Sequence, residues 1–339
     1  MAESSRIEAL RAAVPRRRKT ASLWSDALYR LSRNRAAVIG AVLVCLLALM
    51  AIFSQYIAPY PYDVQDRMHT NVVPAWMTTL FPTMKPYAKI SDKFPIGSDY
   101  VGRDLLSRLI YGSQISLSVA LVGPIIALVV GTVYGLVSGY FSRWVDNIMM
   151  RFVDLMYAFP TMLLIILMMA FFRSAFTLSE PGTLAYVLNA IDKRFGGMLF
   201  IFIGIGITAW MGTARLARGQ VLSLREQEFV LAARSIGASN WRIIFRHIMP
   251  NILGPLVITV TLAIPGYITT EAFLSFIGLG VNPPTPSWGL MISEGSTAIR
   301  TYPNQAIFPA LALSITMFAF NFLGDGLRDA LDPRLRGTQ

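Results

Sequence analysis

Long apolar stretches alternate with polar segments along the whole chain, at about residues 37–58, 114–139, 149–172, 197–214, 252–275 and 306–324. Each approaches the twenty or so residues that a helix needs to cross about 30 Å of hydrocarbon. Runs such as Ala36 to Phe53 are apolar on every side and lack the polar face of a helix on a water-soluble core. Only a helix satisfies its own backbone groups in lipid, so the pattern predicts an all-α integral membrane protein with six transmembrane helices.

The segments between the spans have shorter patterns of their own. In the arm 1–36, Trp24, Ala27, Leu28 and Leu31 recur at i, i+3, i+4 and i+7, which predicts an interfacial helix behind a basic tail. The first span, 37–58, contains the only cysteine, Cys45, so no intrachain disulfide can form, and its apolar stretch is too long for a signal peptide. In the segment 59–113 the stretch "FPIGSDYVGRDLLSRLIYG" offers Gly97 and Gly102 as turn positions. Leu105, Leu106, Leu109 and Ile110 then fall on one side of a helix, with Arg103, Asp104, Ser107 and Arg108 on its wetter side, predicting an amphipathic helix ahead of the second span. Two further external loops follow, 173–196 and 276–305. In the latter, Pro283, Pro284 and Pro286 predict an extended segment and Trp288 an interfacial anchor.

Composition agrees: 54% of the 339 residues are hydrophobic and 14% are charged, against about 25% charged in soluble domains. Lys and Arg set the orientation. Putting the arm, the 140–148 loop, the 215–251 loop and the tail 325–339 on one side gathers roughly twenty basic residues there, against about ten opposite. Both termini are therefore expected in the cytoplasm, and the net charge of +11 is explained by topology and anionic headgroups without nucleic acid.

Chemistry is sparse. No GxxxxGK[ST] or GxSxG occurs, and His69 and His247 fall on opposite sides of the membrane, so neither catalysis nor a metal centre is expected. Pro124, Pro160, Gly204, Gly206, Pro255 and Pro265 fall within the second to fifth spans, where small and helix-breaking residues permit close packing and bends. Asp154 and Glu271 are the acidic groups within the spans. Each must face protein or water, because a charge at the bilayer centre costs about 3 kcal/mol.

The most informative segment is cytoplasmic. In "EFVLAARSIGASNWRIIFRHIMPN", Phe229, Ala232, Ala233 and Ile236 stand at i, i+3, i+4 and i+7, and Trp241, Ile244, Phe245 and Ile248 repeat the spacing. Two short amphipathic helices are predicted, with Gly237 ending the first, Ser239 or Asn240 capping the second, and Pro250 limiting its junction with the fifth span. A DNA-binding pair must enter the major groove, and this one is tethered closely to membrane spans at both ends. A docking element for a soluble partner fits the pattern better.

"LAARSIGASNWRIIFRHIMP" resembles the EAA loop of ABC importer permeases, with Ala232, Ala233, Gly237 and Pro250 at the family's spacing and Leu231 where the family often has Glu. "GSDYVGRDLLSRLIYG", "EAFLSFIGLGVNPPTPSWG" and "FNFLGDGLRDALDPRLRG" are similar to segments of the DppC/OppC group of peptide and nickel importer permeases. The resemblance implies a type I (MetI-like) permease core over 114–324 with an extra N-terminal span, in a bacterial or archaeal cytoplasmic membrane. It also implies a B-type permease partner, two cytoplasmic ATPase subunits that hold ATP and Mg2+, an extracytoplasmic binding protein, and a peptide, or nickel or another small solute, as cargo. Residues 229–237 would be the docking helix, with Arg234, Ser235 and Gly237 near the ATPase and 238–250 as its brace. Phe229 and Ile236 would anchor either the partner or the loop's own packing. A self-contained proton-coupled carrier would instead centre on Asp154 or Glu271.

Overall fold

The computed structural model describes residues 23–177 and 179–331. The basic tail before residue 23 and the residues after 331 lie outside the described residues. Helix α1 (Leu23–Arg33) leads through Asn34, whose side chain accepts the N–H of Ala37 at 3.3 Å, into the first span, α2 (Arg35–Ile52). This cap satisfies one of the free N–H groups that open every helix.

The second span is longer than expected. Asp104 caps helix α3 (Leu105–Tyr140), accepting the N–H of Ser107 at 2.8 Å, and the helix runs unbroken for 36 residues. The amphipathic helix expected on the outer face is therefore the first part of the span itself. Arg103, Asp104, Ser107 and Arg108, expected on a wet side, are all buried. The reason lies outside the helix: the external segment folds over them and supplies Asp99, while a later loop supplies Glu294.

The third span is broken. Helices α4 (Arg143–Ala158) and α5 (Thr161–Thr177) meet at an 80° bend. Pro160 lacks an N–H and pushes the preceding residue out of helical geometry, and Phe159 is extended at φ −84°, ψ 133°. After an external helix, α6 (Leu184–Arg194), the fourth span α7 (Leu199–Leu224) continues well past residue 214. Short helices α8 (Glu228–Ser235) and α9 (Asn240–Ile243) follow, then a π-helical turn at Ile244–Ile248 and the fifth span, α10 (Met249–Phe276). A short external helix, α11 (Trp288–Ser296), precedes the last span, α12 (Asn304–Leu331). Among the described residues, five helices are long and apolar enough to cross a membrane, or six when the bent α4–α5 pair counts as one crossing.

Close approach of backbones holds the bundle. Gly131, Gly135 and Gly139 of α3 face Thr213, Ala217 and Val221 of α7, and a Cβ added at Gly135 would lie 2.4 Å from that of Ala217. This is the small-residue seam that lets membrane helices gain dispersion contact where no hydrophobic effect drives them together. Gly40 of α2 abuts the backbone of α12 in the same way, and Ala37 meets Gly326, so the first and last spans run side by side.

Outside the membrane, residues 59–104 form a small layer around Val73, Met77 and Met84, with a parallel pair of two-residue strands, β1 (Val72–Val73) and β2 (Lys89–Ile90). Gln305 fastens it to the start of α12 by donating to Asn71 Oδ1 and Ser98 O. Trp288, expected at the membrane interface, is fully buried, with its indole N–H donating to Leu109 O at 3.0 Å and its ring on Gly112. The proline stretch before it forms a turn rather than an extended strand, which is what folds the tryptophan inward.

Candidate functional site: a cytoplasmic knob rooted in three spans

Helices α8 and α9 form a compact projection at the cytoplasmic ends of α3, α7 and α10. Its turn is held by two backbone bonds, Ala238 N–H to Ala233 O at 3.1 Å and Gly237 N–H to Arg234 O at 3.0 Å. That pairing requires left-handed backbone at residue 237, and Gly237 has φ +81°. Ser239 caps α9 by accepting the N–H of Arg242.

The two faces of the projection differ sharply. Val230, Ala233, Ile243, Ile244 and Ile248 are buried against Leu136 and Tyr140 of α3, Ala217 and Val221 of α7, and Ile252 and Leu256 of α10. Phe229, Leu231, Ile236, Trp241 and Phe245 stay exposed, Ile236 by 85%. Trp241 and Phe245 stack at 5.8 Å. Ala232, Arg234, Ser235 and Gly237 are also exposed, and the Ser235 hydroxyl donates to Leu231 O. Phe229, Ala232, Ala233, Ile236, Ala238, Arg242 and His247 line an open cleft of about 400 Å³. The apolar stripe read from the sequence thus divides, because Val230 takes the inward position and leaves Phe229 and Ile236 facing water.

The brace is not a separate helix. Residues 240–276 run as one helical body, and the π turn adjoins Pro250. Pro250 cannot donate to Arg246 O, and Met249 N–H reaches back five residues to Ile244 O instead. A wide turn of this kind accommodates the missing donor without breaking the helix.

Polar contacts lock the root. Asp146 of α4 accepts both Arg218 Nε and Nη2, at 2.5 and 2.7 Å, and the Ser138 hydroxyl at 2.6 Å. Arg225 donates to Gly139 O at 2.9 Å. These residues join α3, α4 and α7 directly beneath the knob, and the sequence reading did not single them out. The available signal was a lone acid, Asp146, beside the third span and arginines at the end of the fourth.

The two in-span acids lie apart from the knob and from each other. Asp154 pairs with Arg215 across α4 and α7. Glu271 is completely buried and takes hydrogen bonds from the Ser275 and Ser116 hydroxyls, at 2.7 and 3.4 Å. Among the described residues, no group of three or more His, Cys, Asp or Glu is placed to hold a metal ion.

Residues 131–337 match the family model of the binding-protein-dependent transport system inner membrane component, and residues 22–74 match that of the N-terminal TM domain of oligopeptide transport permease C. The oligopeptide transport system permease protein OppC of Bacillus subtilis is 39% identical, over 94% of this chain and 92% of its own. The dipeptide transport system permease protein DppC of the same organism is 35% identical, over 94% and 88%. The glutathione transport system permease protein GsiD of Pectobacterium atrosepticum is 35% identical, over 92% of each. Among solved structures, a chain of the MetNI methionine ABC transporter in an inward-facing conformation superposes with a TM-score of 0.51 at 17% identity, over 67% of this chain and 98% of that one. That likeness carries the fold alone, a MetI-like bundle to which this chain adds its N-terminal span and external layer. With a knob rooted in a helical bundle and relatives aligned over nearly its whole length, the chain belongs to the binding-protein-dependent transport permeases, as a multi-pass ABC importer subunit of the OppC/DppC group.

Proposed function

We propose that the chain is one of two permeases in an ATP-driven importer of short peptides, in a bacterial or archaeal cytoplasmic membrane. The exposed apolar face of the knob carries this reading. Phe229, Ile236, Trp241 and Phe245 present aromatic and aliphatic anchors to the cytoplasm around an open cleft, while the opposite face is buried in three spans. Such anchors dominate protein interfaces when a partner desolvates them. The partner is a cytoplasmic ATPase subunit, one of a pair, which holds ATP and Mg2+; this chain binds neither and catalyses nothing. Arg234, Ser235 and Gly237 border the contact, Ala232 lets the partner approach closely while Ala233 seats the knob on its own spans, and the 240–276 helix with Pro250 carries the motion into the membrane. A B-type permease completes the path, and an extracytoplasmic binding protein delivers cargo. Peptide cargo is supported by the names of the OppC and DppC relatives.

The test uses Ile236→Asp. At 85% exposure the side chain contributes little to folding, so thermal stability should stay unchanged. Purification from native membranes should yield the second permease with both proteins, and ATPase subunits with the unaltered chain only. Equal ATPase recovery with the variant would overturn the docking role, and uptake of nickel in place of peptide by the purified complex would reassign the cargo.

A further inference from the structure

Outside the knob, an ion pair joins α4 and α7 in the span region. Arg215 Nη2 donates to Asp154 Oδ1 at 2.5 Å, and the guanidinium lies over the Tyr157 ring, 4.1 Å from its centroid. Arg215 follows directly on the fourth apolar run, 197–214, and Asp154 lies near the cytoplasmic start of the third, so the pair stands toward the cytoplasmic side of the span region. Both side chains are open, 45% and 65% exposed. Arg218 and Asp146, the comparable pair nearer the cytoplasm, are 34% and 12% exposed, and the Ser138 hydroxyl also satisfies Asp146. A charge in or at the edge of a span is penalised against lipid, so the open side of Asp154 and Arg215 faces water or polar cargo.

The surroundings favour cargo. Gly212 and Gly219 flank Arg215 on the same face of α7; a Cβ at Gly219 would meet nothing within 4 Å, and one at Gly212 would meet only the Tyr157 hydroxyl, at 3.5 Å. The glycines of the α3–α7 seam, by contrast, meet backbone or Cβ atoms within 3 Å. One class of glycine packs helices and the other keeps a space open. Tyr267 brings α10 to the same place, its hydroxyl directed at Ala209 O at 3.5 Å, and Gly266 beside it also faces open space. Asp154 stands five residues before Phe159, at the 80° break in the third span, and broken membrane helices are tolerated where they line a cavity.

We propose that Asp154 and Arg215 form a charge-exchange station on the wall of the translocation path, which receives the two termini of a zwitterionic peptide. At rest the two groups neutralise each other. An arriving peptide separates them: its carboxylate takes the Arg215 guanidinium and its ammonium takes Asp154, so two opposite pairs replace one and no charge is left alone. Tyr157 holds the guanidinium in place through the exchange. This station rests on the peptide reading above and adds that the path itself, not only a delivery protein, recognises termini.

The test uses the whole transporter, purified with its partners and reconstituted in vesicles, with Cys45→Ala and Gly212→Cys in this chain. The new thiol should react with a positively charged, membrane-impermeant thiosulfonate. Trialanine should slow that reaction on the order of tenfold, the scale of a charge-assisted hydrogen bond, whereas N-acetyl-trialanine amide should not. Adding Asp154→Asn or Arg215→Gln should abolish the protection, and Arg215→Lys should restore part of it. Reaction with lipid-soluble reagents alone, equal protection by the doubly blocked peptide, or protection surviving both substitutions would each overturn the station. Uptake of labelled trialanine by the unaltered complex separates the two claims: uptake without protection at Gly212→Cys sinks the station alone, whereas no uptake sinks the peptide reading and the station with it.

Discussion

Substituting Gly135 by alanine probes the seam on which the knob is seated. The added Cβ would lie 2.4 Å from Ala217 Cβ, 2.6 Å from Ala214 O and 2.8 Å from Arg218 N. Ordinary carbon contacts begin at about 3.5 Å, so α3 and α7 must separate by about 1 Å. Two of the three obstructing atoms are backbone and cannot rotate away, which puts the cost at the upper end of overpacking penalties, about 3 kcal/mol. Separation also loosens the neighbouring contacts at Gly131 and Gly139. Gly219, on the outer face of α7, has nothing within 4 Å of its added Cβ, so Gly219→Ala should stay within about 0.5 kcal/mol of the parent. Thermal unfolding in detergent, followed by size-exclusion chromatography, should show Gly135→Ala melting about 6 °C or more below the parent and Gly219→Ala melting with it. Equal shifts for the two variants, or an unmoved Gly135→Ala, would refute the seam as the determinant of this helix contact.

Three further outcomes follow from the same geometry. Arg108→Ala leaves Asp99 and Glu294 with Arg103 as their remaining cation in a buried cluster, and should destabilise the protein by about 3–5 kcal/mol in the same melting assay. Gly237→Ala forces a side chain into left-handed backbone without any clash and should cost about 1 kcal/mol; hydrogen exchange at residues 236–238 should then quicken about fivefold while the spans stay protected. In the external layer, hydrogen bonds from Lys93 and from His69 hold the Asp66 carboxyl down at about 2, below its ordinary 3.8. The lowered value means that its stabilisation is complete above pH 3.8 and fades as pH falls toward 2, so the melting difference between the parent and Asp66→Asn should be present at pH 7 and close over that window.

Hydropathy made the spans legible because lipid leaves the backbone only one way to satisfy itself there. It did not reveal where a span ends once the helix leaves the membrane. Helix α3 begins at Leu105 because tertiary contacts, not apolarity, sustain its first turns. The same contacts explain why Arg103 and Arg108 are buried: their partners Asp99 and Glu294 come from either end of the chain's outer portion, a pairing that local periodicity cannot encode. Trp288 is buried and not interfacial for the related reason that a tryptophan suits both an interface and a notch, and the notch is made by Gly112, far away in sequence. At the knob, spacing marked the two short helices and the turn at Gly237. It could not separate inward from outward positions, since Val230 and Phe229 are neighbours of equal hydrophobicity and only the surrounding spans decide which one is covered.

The continuity of residues 240–276 turns the knob into the short arm of a lever. Its 37 residues extend for about 55 Å, so a tilt of about 5° at the cytoplasmic end displaces the outer end by about 5 Å. The outer end is attached, not free: Ser275 accepts from the hydroxyl of Ser287, at the start of α11, and Glu271 accepts from Ser116 of α3. On the coupling proposed above, a small angular stroke at one membrane surface would be geared into a side-chain-sized displacement at the other, with any bend at Pro255 or Pro265 shortening the stroke and no chemical messenger between the two ends.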